Sequence, residues 1–341
     1  MHLHIVVPDL FWPSTDVAAL YRDLRLHALE RLLARGRRSL SPAGGLVRWV
    51  AAQFGLQGDD PPVAPFRLIG DGAEAGDTRW LCADPVHLEA GIDRVVLSDP
   101  ALLELDAAEA AALTGSLNEH LAPVGVRLLA PVPRHWYTEI SDEELVTTPV
   151  EAAIGVVAAD ALPRGAAGAR WRTLLTELQM ILHVHPVNAA REARGAPAVN
   201  GLWAWGGGAR QPLKARRGER WYGIDAVVRG LARAADATAG LPPPALRRDD
   251  LARDGIRWFV LEDAAHAVRR ADQAGWRDAL QQLERDWFAP LVDLLRRGDI
   301  GMASVHAVSP HGTLSVETTR SDLRHLWRRP RALDTYLAGP A

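Results

Sequence analysis

The chain has few of the residues that support disulfide, thiolate or lysine chemistry. Its 341 residues include one cysteine, Cys82, one lysine, Lys214, and three methionines. A single cysteine excludes an internal disulfide framework and a Cys-x-x-Cys metal or redox motif. The sequence also lacks a signal-peptide pattern at its start and an apolar run of about 18 residues that could span a membrane. We therefore expect a soluble, cytoplasmic protein.

Charge is nearly balanced, which argues against two large classes of partner. The sequence has 39 Lys and Arg against 42 Asp and Glu, a formal net charge of −3. That balance provides no basic footprint for nucleic acid or for an anionic membrane surface. The tail over 320–331 is basic and contains tryptophan, and we interpret it as a solvated face in preference to a phosphate grip. No nucleic-acid or membrane partner is expected.

Strand-like and helix-like patterns alternate, which is typical of an α/β protein. Asp9 follows the first predicted strand, and Glu262 follows another. Open α/β sheets bind ligands at the carboxyl ends of their strands, where these polar residues lie. Asp9 is equally explained as a turn or cap residue. Helices are predicted over 16–35, 106–120, 171–182 and 276–297, and strands over 1–7, 125–129, 134–137, 257–261 and 301–308.

The densest group of polar residue types lies between Met180 and Gly208. Pro186 prevents a helix from running through its two histidines, Gly195 stops a short helix, and a strand is predicted over 199–205. We predict a ligand site here, with His183 and His185 as candidate acid/base groups. The predicted ligand-binding residues are Asn188, Arg191, Asn200, Trp203, Trp205, Gly206, Gly207 and Gly208. The alternative is that the asparagines cap and turn the chain while the tryptophans fill the core.

Motifs for metal, nucleophilic or phosphate chemistry are weak elsewhere. Glu262 and His266 could share a helix face and His306 lies near His311, but there is no HExxH motif and no clustered Asp/His set. No GxSxG elbow is present. The glycine run followed by Arg210 could cradle an anion, but it lacks the Walker spacing. We expect no bound metal and no cofactor.

A family resemblance rests on the central stretch. His185-Pro186-Val187-Asn188, Arg191, Gly195, Asn200 and Trp205-Gly206-x-Gly208 resemble the segment of archaeal-type cofactor-independent phosphoglycerate mutases that closes their inserted domain. Including residues 80–88 and 202–208, the chain resembles the bacterial RpfE-type regulatory proteins more closely. The resemblance implies an alkaline-phosphatase-like α/β core, with a mainly parallel sheet flanked by helices, and an inserted α+β domain. We expect the core at 1–75 and 200–341 and the insertion at 76–199, with strands near 3–7, 200–205, 257–261 and 302–308 in one sheet.

The chain departs from the mutases where their chemistry resides. Residues 44–55 lack the nucleophilic Ser of the corresponding mutase segment, and the mutases' Asp-x-x-x-His pair falls on Glu262 and His266. Their later Asp-His pair falls on Pro310 and His311, and their final ligand histidine has only the poorly spaced His325. Two hypotheses remain: a catalytically silent regulatory relative that binds a small anionic metabolite or a protein partner, and an enzyme with a replaced, His-based mechanism.

Overall fold

The computed structural model describes residues 1–14, 18–42, 44–91, 95–141, 144–248, 251 and 255–336. It forms two compact units, one from Met1–Val50 with Ala215–Ala341 and one from Ala51–Lys214. The strands are β1 (His2–Pro8), β2 (Arg37–Ser41), β3 (Trp80–Val86), β4 (Leu88–Ala90), β5 (Val95–Leu97), β6 (Leu128–Val132), β7 (His135–Glu139), β8 (Gly201–Gly208), β9 (Arg220–Tyr222), β10 (Thr238–Gly240), β11 (Ile256–Val260), β12 (Met302–Ser309) and β13 (Gly312–Thr319).

Helices connect these strands in both units. They are α1 (Ala18–Tyr21), α2 (His27–Arg35), α3 (Gly45–Gln53), α4 (Ala64–Gly70), α5 (Ala107–Leu121), α6 (Val150–Ala153), α7 (Gly168–His183), α8 (Pro186–Ala193), α9 (Ala226–Ala234), α10 (Asp263–Arg269), α11 (Gln273–Leu283) and α12 (Ala289–Arg297). The predicted capping box is present at the start of α5, where Asp106 and Glu109 each accept from the other's backbone N–H.

A seven-stranded sheet organises the first unit, in the order β10-β9-β11-β1-β12-β13-β2. The five strands from β10 to β12 run parallel, and β13 pairs antiparallel both with β12 and with the edge strand β2. Leu3, Ile5 and Val7 alternate onto one face of β1 and join the core formed with the flanking helices. The predicted fold class, α/β with a mainly parallel sheet flanked by helices, is confirmed.

Two predicted helices are interrupted. The helix expected over 16–35 is divided into α1 and α2, because Asp23 takes a left-handed conformation (φ 61°) that no helix continues through; Asp16 lies outside the described residues. The helix expected over 276–297 contains a π-helical turn at Glu284–Phe288 between α11 and α12. That wider turn leaves Trp287 and Phe288 buried in the core.

The second unit is built on an antiparallel four-stranded sheet in the order β6-β7-β3-β8. The prediction that residues 200–205 share a sheet with residues 3–7 is wrong, because β8 pairs with β3 and not with β1. Leu202 and Ala204 pack into the apolar core of this unit beside Trp136, which explains why β8 belongs here. The expected boundary at 199/200 falls inside this unit, just before β8.

Candidate functional site

Arg191 is a buried cross-link, with 1% of its surface exposed. Its Nε donates to the carbonyl of Pro197 at 2.7 Å, its Nη1 donates to Oε2 of Glu109 at 2.6 Å, and its Nη2 donates to the carbonyl of Leu103. These acceptors occupy the guanidinium fork from three sides. Arg191 was predicted to bind a ligand, but its guanidinium charge is already paired with Glu109 inside the protein.

The two asparagines of the central stretch hold backbone segments together. Asn188 is buried and donates to the carbonyls of Leu182 and Val199, while its side-chain oxygen accepts from the N–H of Val199. Asn200 makes a matched pair of bonds to the N–H and carbonyl of Leu88. Both side chains thus replace missing backbone partners, as in the capping and turning alternative.

The two histidines occupy different environments. His183, in the last turn of α7, is exposed. His185 caps α8: its Nδ1 accepts from the N–H of Val187, and its Nε2 lies 3.0 Å from the Oγ of Ser116. Because Nδ1 accepts, Nε2 carries the proton and donates to Ser116. Both ring nitrogens of His185 are therefore used in structure.

The two tryptophans of β8 are buried, and each indole N–H has an acceptor. Trp203 Nε1 donates to the carbonyl of Thr148 at 2.9 Å, and Trp205 Nε1 donates to Oδ2 of Asp84 at 2.8 Å. A buried indole needs such an acceptor. The pair anchors β8 to its own unit.

The glycine run is a close-packed turn. Gly206 has a φ of 64°, and a Cβ there would lie 2.8 Å from a methyl group of Val63; a Cβ on Gly208 would lie 2.6 Å from Pro62. The Gly206 N–H already donates to the side chains of Asp60 and Thr147. The glycines permit a tight approach of backbone to side chain. That any residue of the central stretch contacts a ligand stays a prediction.

Sequence reasoning missed a buried charge network in the second unit. Arg67 Nη1 donates to Oδ1 of Asp84 at 2.8 Å, and its guanidinium lies 5.1 Å from the Trp205 ring centroid. Asp84 also accepts from the N–H of Trp136. Burial raises the pKa of the Cys82 thiol, which removes this lone cysteine as a nucleophile at neutral pH. The partners are 17 to 121 residues apart, so no local pattern signals the network.

An aromatic stack on the first unit's sheet was also missed. His4 stacks on Trp258 with ring centroids 3.6 Å apart, and Trp258 stacks on Trp221 at 4.4 Å. His4 Nδ1 lies 3.0 Å from His306 Nε2 on the adjacent strand β12. Burial lowers the pKa of His4 to about 2 and that of His306 to about 3. Both imidazoles are therefore neutral. The alternation of His2 and His4 was the available sequence signal.

The carboxyl edge of the seven-stranded sheet gathers polar groups in the first unit. Asp9 follows β1 with a φ of 53°, and its backbone is fixed by a bond from its N–H to Val308 and one from the Trp276 indole to its carbonyl. Burial raises the pKa of the Asp9 carboxyl to about 6, and the nearby charges of Arg269 and His311 oppose that rise. A buried carboxyl with a raised pKa at the carboxyl edge of a parallel sheet makes Asp9 a candidate functional residue.

Glu262 and His266 lie at the same edge. Glu262 is 8% exposed, and its Oε1 accepts from the N–H of Asp225 at 3.2 Å. Nη2 of Arg269 lies 2.7 Å from Nδ1 of His266, so that nitrogen accepts from the guanidinium. Glu262 is the N-cap residue of α10, and His266 lies four residues after it, with Arg269 three residues beyond His266.

A cavity of about 460 Å³ opens beside this edge. Its walls come from the loop after β1, the end of β12 and the start of β13, with His311, Trp12 and Tyr336 among them. Its volume is in the range that holds a small metabolite. We call Asp9, Glu262, His266, Arg269 and His311, together with this cavity, the edge site.

The edge site does not fit a pair of divalent metals. Among the described residues, no three His, Cys, Asp or Glu side chains are grouped as a metal ion requires. The guanidinium of Arg269, hydrogen-bonded to Nδ1 of His266, brings a positive charge to this side chain, and that charge repels a cation. The donor set that the mutase resemblance implies is therefore incomplete.

Comparison with known proteins points to phosphoglycerate mutases. No family model matches the chain. The 2,3-bisphosphoglycerate-independent phosphoglycerate mutases of Methanosarcina acetivorans and Methanosarcina mazei are 27% identical over 197 residues and 26% identical over 201 residues. Each alignment covers 54% of this chain and 48% of the relative, so the chain spans about half the length of the curated relatives it matches.

Two solved structures share the fold. A cofactor-independent phosphoglycerate mutase from Thermoplasma acidophilum has a TM-score of 0.53 at 15% identity, covering 100% of this chain and 95% of that one. A Pyrococcus horikoshii protein has a TM-score of 0.55 at 13% identity, covering 93% and 87%. The curated relatives are thus phosphoglycerate mutases, and the solved structures share the fold of the chain. None of the described helices is long and apolar enough to cross a bilayer.

Proposed function

We propose that this protein is a cytoplasmic, phosphoglycerate mutase-like regulatory protein of the RpfE type. In this proposal it binds a small phosphorylated or carboxylate metabolite in the edge site and lacks metal-dependent phosphoryl transfer. The observation that carries the proposal is the 2.7 Å contact of Arg269 with His266, the residue on which the histidine of the mutases' Asp-x-x-x-His pair falls. In this proposal the guanidinium of Arg269 takes the place of the metal ion that the mutases bind.

Binding follows from the charges at the edge site. Arg269 offers a planar fork that suits phosphate or carboxylate, and His311 adds a second donor at the rim. Asp9, with a pKa of about 6, is partly protonated near neutral pH and can donate a hydrogen bond to an anion without full charge repulsion. The cavity beside these groups receives the uncharged part of the metabolite.

Three replacements support the loss of the transfer reaction. Residues 44–55 contain no serine nucleophile, and Pro310 cannot ligate where the mutases have aspartate. Glu262 is buried with an oxygen held by the N–H of Asp225, which limits its use as a ligand. The alternative His-based mechanism has less support, because the two ring nitrogens of His185 are occupied and His183 is exposed.

Metabolite binding is tested by thermal denaturation of the full chain with 3-phosphoglycerate, 2-phosphoglycerate and citrate. A bound anion at a hundredfold excess over its Kd stabilises the folded state by about 2.7 kcal/mol, so the melting temperature should rise. Arg269→Gln should abolish the rise. Arg270→Gln is the matched control, since Arg270 is the exposed neighbour at the end of α10. If no anion stabilises the wild-type chain, the binding proposal is wrong.

The loss of transfer is tested separately with the protein purified without chelator. Elemental analysis should give well under one equivalent of zinc, manganese or magnesium, and added manganese should not produce interconversion of 2- and 3-phosphoglycerate. Stoichiometric metal together with mutase turnover would overturn this half of the proposal while leaving metabolite binding intact. If the edge site binds no small anion, the result favours a protein partner instead of a metabolite.

A further inference from the structure

The first unit has a second concave surface, formed by two segments far apart in sequence. It has a volume of about 1040 Å³ and lies between the segment around the start of β2 and the C-terminal tail. We call it the arginine cleft. Its charged and aromatic lining includes Arg37, Arg38, Arg328, Arg329, Arg331 and Trp327. The tail alone was interpreted from sequence as a solvated face, and its convergence with β2 changes that interpretation.

The cleft is held in shape by specific contacts. Arg328 Nη1 donates to the carbonyl of Arg35 at 3.0 Å, and Arg35 Nη1 donates to the carbonyl of Leu323 at 2.5 Å. Leu333 and Tyr336 are buried in the core of the first unit and anchor the end of the tail, and Tyr336 also lines the cleft. These contacts fix the position of the tail, which forms one side of the arginine cleft.

Positive charge in the cleft exceeds the negative charge that lines it. Five arginines contribute to the lining, and Asp322 is the one acidic residue among the described lining residues. Arg37 is paired with Glu317 at 2.6 Å, which leaves Arg38, Arg329 and Arg331 without a carboxylate partner within the described chain. Arg38 lies over the Tyr336 ring at 5.7 Å. Guanidinium groups held together in a protein of net charge −3 repel one another, and an anionic ligand removes that repulsion.

An exposed indole stands beside the arginines. Trp327 has 75% of its surface exposed, and its ring centroid lies 4.8 Å from that of His325. The other tryptophans of the described chain are buried, so Trp327 is the indole of the described residues whose ring face is open for stacking. Aromatic rings beside a basic groove provide stacking surfaces for nucleobases.

We propose that the arginine cleft binds a nucleoside di- or triphosphate. Arg38, Arg329 and Arg331 contact the phosphates, for which the guanidinium fork is suited, and the base stacks on Trp327. A small nucleotide is favoured over a nucleic-acid strand because the cleft is a bounded concavity and the chain as a whole is slightly acidic. This proposal is independent of the edge site.

Calorimetric titration of the full chain with ATP, ADP and inorganic tripolyphosphate at about 150 mM salt tests the proposal. Wild-type protein should bind all three. The double change Arg329→Ala with Arg331→Ala should weaken ATP and tripolyphosphate binding by about tenfold or more. Trp327→Ala should weaken ATP by about tenfold and leave tripolyphosphate unchanged, because only the nucleotide has a base to stack.

The variants are chosen so that folding does not confuse the result. Arg329, Arg331 and Trp327 are exposed, and Tyr336, which also borders the edge-site cavity, is left intact. Arg247→Ala removes an exposed arginine outside the cleft and should not change binding. Absence of ATP binding by the wild-type chain, or equal binding by the double variant, overturns the proposal. Binding of single-stranded oligonucleotides or acidic peptides without ATP binding also overturns it, since the cleft would then serve a macromolecule.

Discussion

Arg191 and Glu109 form a buried ion pair, with Nη1 of the arginine 2.6 Å from Oε2 of the glutamate. The two residues are 82 positions apart, and the bond ties α8 to the first turn of α5. Arg194 contacts the other oxygen of Glu109 from the surface, where its side chain is 52% exposed. One carboxylate thus serves a buried arginine and an exposed one.

This arrangement predicts unequal effects for the two arginines. Arg191→Ala should lower the free energy of unfolding by about 3–5 kcal/mol, because it orphans buried polar groups on Glu109, Leu103 and Pro197. Arg194→Ala, the matched control on the same acid, should cost less than about 1 kcal/mol. Urea unfolding measures both. Similar small losses for the two variants would contradict the structural role of Arg191.

Local patterns predicted more of the fold than of the site. The capping box at Asp106 follows from residues three apart, and the strand over β1 follows from its own apolar run, so both could be read directly. The sheet to which β8 belongs could not be predicted in this way, because the sequence pattern of β8 suits any sheet with one apolar face. The sheet that β8 joins is set by contacts such as the hydrogen bond between Trp205 and Asp84, two residues that are 121 positions apart.

The same limit explains the candidate site. Asp9 and Glu262 were predicted at strand ends, and the parallel pairing of β1 with β11 brings those ends to one edge. Arg269 was not singled out, since nothing in sequence distinguishes it from the neighbouring arginine. The asparagines and Arg191 were predicted to bind a ligand. Their hydrogen bonds to backbone carbonyls are set by the tertiary structure, and these bonds define their role.

Gly206 is predicted to be less replaceable than Gly207. In Gly206→Ala the new methyl meets Val63 at 2.8 Å and the backbone stays at a φ of 64°, so both strain and crowding oppose it. We expect a loss of about 1–3 kcal/mol. In Gly207→Ala the nearest atom is the end of the Leu81 side chain at 2.9 Å, and φ is not in the left-handed region. That control should lose less in the same urea unfolding experiment, and an equal loss would show that φ at Gly206 is not the cause.

The stacked histidines predict that acid destabilises the first unit. Folding lowers the pKa of His4 to about 2 and of His306 to about 3 from 6.5 in the unfolded chain. Below pH 6.5 the unfolded chain therefore binds protons that the folded chain does not. The free energy of unfolding decreases as the pH decreases. At about pH 5 each buried imidazole costs about 2 kcal/mol.

Urea unfolding between pH 8 and 5 checks this expectation. His306→Asn should reduce the pH slope by about one proton, whatever its effect on absolute stability. The same change at exposed His183 removes no buried imidazole and serves as the control. A slope unchanged by His306→Asn would show that the imidazole takes up its proton without unfolding.

Asp9 predicts a pH dependence of opposite sign. Burial raises the pKa of its carboxyl from 3.8 to about 6, against the opposing charges of Arg269 and His311. Between these two values the folded chain binds the proton more tightly than the unfolded chain, so this residue stabilises the fold as pH falls and destabilises it above pH 6. Asp9→Asn, which cannot ionise, should therefore be more stable than wild type at pH 8 by up to about 3 kcal/mol. The difference should shrink as pH falls through 6 and vanish below about 3.8.

Asp23→Asn is the control, because Asp23 has the same left-handed backbone (φ 61°) but is exposed. Since asparagine adopts that conformation readily, any pH-independent gain shared by both variants belongs to the backbone, and the pH-dependent part belongs to the buried charge of Asp9. A gain at Asp9 that does not change with pH would mean that Arg269 and His311 fully compensate its charge.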